Sequence, residues 1–130
     1  MRTKLPAWLR SVASAFLGYV VIVACTTAGF KPLGGIIHLS APLRIQAAGA
    51  LVAILSGLLG GLTTSAIASG HPVQHAAAVL AFLLVDTLVV LSRGSPDPLW
   101  FELSGSATLM GATVSGGLLY RLLKPPRRWV

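Results

Sequence analysis

Charge is almost missing from the interior of this sequence. Four apolar stretches, 11–30, 45–69, 75–91 and 103–119, hold a single charged residue between them, Asp86. Cysteine is nearly missing too: Cys25 stands alone, which excludes an internal disulfide and leaves the redox compartment unassigned. The sequence has no G-x-S-x-G elbow, no Walker sequence, no pair of acids at depth and no nucleophile matched with a base at one depth. The chain is therefore expected not to be an enzyme and to need no cofactor. No low-complexity tract interrupts it.

What is present is apolar length. A spanning helix needs roughly 20 apolar residues, because about 30 Å of hydrocarbon is crossed at about 1.5 Å per residue. The four stretches predict an all-α polytopic membrane protein, four transmembrane helices in an up-down-up-down bundle, with all 130 residues in one membrane domain. A mean hydropathy of +0.82 agrees, since a water-soluble fold of this composition would carry large exposed apolar patches.

The formal charge of +7 sits at the ends of these stretches. It lacks the aromatic and basic groove that nucleic acid requires, so it is read as orientation. Arg2, Lys4 and Arg10 precede the first stretch and Arg121, Lys124, Arg127 and Arg128 follow the last, against Lys31, Arg44 and Arg93 on the other side. By the positive-inside rule this bias places both termini on the cytoplasmic face of a bacterial inner membrane. Trp8, Tyr120 and Trp129 then mark the inner interface, and Phe30, Trp100 and Phe101 the outer one. Membrane lipid is the expected partner, with the basic tails near anionic headgroups.

The connections differ in character. Residues 31–44 form the longest, broken by Pro32, Gly34-Gly35 and Pro42 and carrying an apolar patch at Ile36-Ile37 and Leu39. That patch predicts a segment lying on the outer interface or folded over the bundle; a plain loop is the alternative. The second connection is tight, with Gly70 ending one helix and Pro72 opening the next. In the third, Ser95-Pro96-Asp97-Pro98 reads as a rigid turn.

Small residues recur at every fourth position of the second stretch, at Gly49, Ala53, Gly57, Gly61, Ser65 and Ser69. The fourth stretch repeats the pattern with Ser104, Thr108, Ala112 and Gly116. In lipid, where apolar burial gives helices little reason to associate, such faces drive packing through close backbone approach. They predict the centre of the bundle or, alternatively, a contact with a second copy or another membrane subunit.

Asp86 is the candidate intramembrane functional residue. It lies about six residues, roughly 9 Å, inside the outer end of its stretch. An Asp at the bilayer centre costs about 2.5–3.5 kcal/mol, which the surrounding Leu, Val and Phe offset at about 0.3–0.6 each. Cys25, Thr26, Thr27 and Thr108 are expected at the same depth. The carboxyl would bind a cation, relay protons or hold a partner's Arg; alternatively the hydroxyls cap it as a structural link between helices. His75 and Arg93 fall on nearly the same helical face, yet His75 is about 16 Å away along the axis. His71 and His75 have a metal-like spacing, but Pro72 separates them and no further ligand is near, so no metal is expected.

Several short runs resemble known families. Ile22-Val23-Ala24-Cys25, after the basic residues at 2–10, resembles the lipobox of a bacterial lipoprotein signal, which implies acylation of Cys25; three further spans make it an ordinary first helix. Gly60-Gly61-Leu62-Thr63-Thr64 resembles a short motif of the small four-helix bacterial fluoride channels, whose phenylalanines and polar asparagine are missing from the neighbouring stretches. Small multidrug exporters are similar in length and helix number but carry an acid in the first helix, where this chain has none. A broader resemblance is to small bacterial four-helix membrane proteins without an assigned activity. Gly60-Gly61 to Pro72 and His75-Ala76 match their glycine-rich second helix and tight Pro-containing hairpin. The function expected from all of this is that of a non-enzymatic accessory or oligomeric membrane component. The alternative is a minimal homo-oligomeric transporter or channel with Asp86 coupling to protons or a cation.

Overall fold

A computed structural model describes residues 6–68 and 70–124. These form four helices, α1 (Ala7–Phe30), α2 (Leu43–Ile67), α3 (Pro72–Arg93) and α4 (Leu99–Leu123), with a short 3₁₀ turn at Lys31–Leu33. Proline sets every helix start: Pro6, Pro42 and Pro98 stand in extended backbone just before α1, α2 and α4, and Pro72 is the first residue of α3. Its fixed φ and missing N–H suit a place where the first amides have no helical partner anyway.

The helices accordingly start earlier than their apolar stretches, and α3 and α4 run on to Arg93 and Leu123. The first three are long and apolar enough to cross a membrane. α4 has the length, at 25 residues, but not the apolarity, so the expectation of four apolar spans narrows to three. The reason is its content of Ser104, Gly105, Ser106, Thr108, Gly111, Thr113, Ser115, Gly116 and Gly117. Ser69 of the small-residue series lies outside the described residues, as do Arg2, Lys4, Arg127, Arg128 and Trp129.

α2 and α3 each touch all three other helices, and α2 makes the two most extensive contacts, with α4 and α1, whereas α1 and α4 do not meet among the described residues. Two small-residue faces make this possible. Toward α4, a Cβ on Gly57 would stand 2.7 Å from both the Ala112 methyl and the Leu109 carbonyl oxygen. One on Gly61 would strike the Thr113 carbonyl, and one on Gly116 the Leu58 carbonyl. Toward α1, Gly60 lies against Ile22 and Gly18, and Gly18 against Thr64. Gly49 accepts the Ile37 side chain, and Ser65 donates to the Pro72 carbonyl at 3.0 Å, tying the end of α2 to the start of α3.

The interior is small and partly hydroxylated: Ser14, Ser56, Thr64, Ser65 and Thr113 are buried beside Ala15, Ile22, Ala53, Ala76, Val79, Leu83 and Ala112. Thr64 and Thr113 return their hydroxyls to carbonyls one turn back, so burial leaves them satisfied. Large apolar side chains point outward instead, among them Leu51, Leu55, Leu59, Leu84, Val85 and Leu88.

Candidate functional site

Asp86 follows one turn after buried Leu83, and it is exposed between Val85 and Leu88, themselves 61% and 58% exposed. Its position sets it at the mouth of a crevice of about 120 Å³ between α3 and α4, lined also by Thr87, Glu102, Ser106 and Leu109. The Thr87 hydroxyl lies 2.8 Å from the Leu83 carbonyl and 3.1 Å from Ser106 Oγ, a polar clasp between the two helices. Glu102 accepts a hydrogen bond from Ser95 Oγ, whose oxygen in turn accepts the Asp97 amide at 3.2 Å. Two of the three acids of the chain therefore open onto one crevice.

The hydroxyls expected beside Asp86 are placed elsewhere. Thr26 donates to the Ile22 carbonyl and Thr108 to the Ser104 carbonyl, each at 2.8 Å, and both line a second crevice. Thr27 is exposed and its carbonyl caps the helix end by accepting the Lys31 amide. Cys25 is a half-buried free thiol. The second crevice, about 560 Å³, opens between α2 and α4 where their small-residue faces diverge, with Phe30, Ile37, Gln46 and Glu102 also on its walls.

Sequence reasoning missed the latch above that crevice. Asp97 accepts the Leu39 amide at 2.9 Å and lies 2.7 Å from His38 Nδ1, joining two loops whose residues are 59 apart in sequence. The Leu39 amide, and then His38, hold the Asp97 carboxyl below the usual carboxylate range. Gln46 adds two bonds of 2.8 Å from its amide to the Leu39 and Ala41 carbonyls. The apolar patch of this loop divides: Ile37 reaches Gly49, which Phe30 also flanks, whereas Ile36 is 80% exposed.

At the opposite end, Arg10 Nε donates to the Ile67 carbonyl at 3.1 Å. His75 Nδ1 donates to the His71 carbonyl at 3.0 Å, and its Nε2 lies 2.9 Å from Ser11 Oγ, which is itself 3.1 Å from the Ala7 carbonyl. His71, at φ 27°, occupies left-handed backbone that a non-glycine residue rarely adopts. His75 is thus a fastener between α1 and α3. Among the described residues no three His, Cys, Asp or Glu side chains gather to hold a metal.

These features define a class: an all-α protein of four helices, three of them long and apolar enough for a membrane. No protein-family model, curated protein or solved structure matches the chain.

Proposed function

We propose that the protein is a small non-enzymatic component of a bacterial inner membrane, an up-down-up-down bundle with both termini cytoplasmic, working through contacts on the outer face of α3. The observation that carries this reading is Asp86, exposed on an otherwise apolar helix face. Facing lipid at depth, a carboxyl is unfavourable by about 2.5–3.5 kcal/mol, whereas a helix that hydrogen-bonds or ion-pairs with it removes that cost. Gly57, Gly61 and Gly116 of α2 and α4 are already occupied by each other, so this reading assigns the outside helix to the exposed face of α3 that carries Asp86. In the sequence, Arg2, Lys4, Arg10, Arg121, Lys124, Arg127 and Arg128 on one side of the apolar stretches, against Lys31, Arg44 and Arg93 on the other, support the orientation.

The test is gentle solubilisation, purification through a tail tag and mass measurement of the intact complex, for wild type, Asp86→Asn and Asp86→Leu. A stoichiometric second copy or foreign subunit that is lost in Asp86→Asn, or in Asp86→Leu where a hydrogen bond holds the contact, supports the reading. A monomer in all samples overturns it. The meeting of Asp86 and Glu102 in one crevice with Thr87 and Ser106 favours a second reading, a homo-oligomeric proton- or cation-coupled transporter. In that case Asp86→Asn abolishes ion flux in reconstituted vesicles while the complex persists.

A further inference from the structure

A cleft of about 610 Å³ lies where α2 ends, α3 begins and α4 ends. Arg121 and Lys124 reach it from the last turn of α4, and Tyr120, Gln74 and His71 add polar groups. Lys124 Nζ stands 5.6 Å from the centre of the Tyr120 ring. No acid lines the cleft, and neither basic group is paired with a carboxylate among the described residues. Asp86, Asp97 and Glu102 belong instead to crevices around the α3–α4 connection.

Cations that merely anchor a helix end, or offset the negative pole of its last turn, gain nothing from sharing a concavity. Here two from one helix converge on a cleft whose other wall is the first turn of α3, a turn with no acidic residue and no side-chain cap. Concentrated positive charge with hydroxyl and amide donors suits a phosphate diester. Ala68, Pro72 and Val73 give the cleft an apolar shoulder, and Leu122 and Leu123, between Arg121 and Lys124 in sequence, are 78% and 69% exposed. A free phosphate ion has no use for that shoulder, whereas a lipid acyl chain does.

We infer that this cleft is a binding site for the phosphate headgroup of an anionic phospholipid, held by Arg121 and Lys124. The inference rests on the membrane placement proposed above and is independent of Asp86. The full chain, purified in detergent, is mixed with phosphatidylglycerol or phosphatidylcholine, and lipid retained on the intact protein is read by native mass spectrometry. Phosphatidylglycerol is retained preferentially. Arg121→Gln and Lys124→Gln each weaken its retention about fivefold, the factor expected per basic side chain at a membrane surface. Arg44→Gln with Arg93→Gln, at the other end, leaves retention unchanged, and millimolar inorganic phosphate does not displace the lipid.

Equal loss in the Arg44/Arg93 variant shows nonspecific attraction and overturns the site. Unchanged retention in the Arg121/Lys124 variant, with helix content intact by circular dichroism, also overturns it. Displacement by inorganic phosphate overturns the lipid as occupant. The same spectra of Asp86→Asn report oligomer mass, so failure of the α3 contact and failure of the headgroup site are read separately, and sedimentation of native membranes after carbonate washing tests insertion itself.

Discussion

Asp97 shows how much one carboxylate can organise when it is given two donors. It closes a ring of contacts in which the Leu39 amide and His38 approach from one loop while Ser95 and Glu102 follow on its own side. Its carboxyl is held below the ordinary value of 3.8, so the folded chain releases that proton more readily than the unfolded chain does. The latch therefore stabilises fully above the unfolded value and weakens as pH falls through the lower, folded one. Hydrogen exchange of the Leu39 amide, followed from neutral pH downward after correction for intrinsic rates, should accelerate only in that acid range. At neutral pH Asp97→Asn should speed the same amide roughly tenfold, since an amide oxygen is a weaker acceptor than a carboxylate. Unaltered Leu39 protection in the variant means that Gln46 alone holds the loop.

Helix α2 works because it offers backbone on two sides. Gly61→Ala drives a methyl group against the Thr113 carbonyl, an obstacle that no rotamer change can move. Overpacking of this kind costs about 1–3 kcal/mol, against about 1 kcal/mol gained in helix propensity, so the net effect should be a loss. Gly111→Ala is the comparison: nothing stands within 4 Å of its added Cβ, and it should be neutral or slightly stabilising. Denaturation of both variants in detergent, followed by circular dichroism, decides whether the sign differs as argued. The four-residue spacing made the Gly57 and Gly61 face legible in the sequence. The second face, at Gly60 and Thr64, is not legible in this way, because small residues next to a stripe look like its margin. Helix starts differ from the apolar stretches for a related reason: apolar windows report where lipid or core begins, whereas Pro6, Pro42, Pro72 and Pro98 report where the backbone first turns helical.

Among the described residues the usual distribution is partly inverted: Ser14, Ser56, Thr64, Ser65 and Thr113 are buried, whereas of the leucines only Leu83 is. A chain folding in water gains by enclosing its leucines. One folding in lipid gains nothing by that and packs its smallest residues instead. Apolar length made this class legible from the sequence, and Asp86 stood out as a lone charge in an apolar run. The Asp97 latch did not, because loop pairings across 59 residues leave no periodic trace. The inversion also sharpens what Asp86 should do. If α3 meets another helix there, Asp86→Leu should leave the isolated bundle at least as stable as wild type, since it removes a charged group from an exposed position on an apolar face. The same change should weaken association by about tenfold, the loss of one interhelical hydrogen bond worth about 1–2 kcal/mol in apolar surroundings. Asp86→Asn, which keeps hydrogen-bonding capacity without charge, separates two cases. Retained association in Asn but not in Leu assigns the contact to hydrogen bonding, and loss in both assigns it to charge pairing with a partner's cation. Energy transfer between labelled copies, and between labelled protein and candidate subunits, in vesicles of fixed lipid-to-protein ratio measures each case. Association unchanged in Asp86→Leu removes α3 from the interface and turns Asp86 toward the Glu102 crevice, where ion flux becomes the quantity to follow.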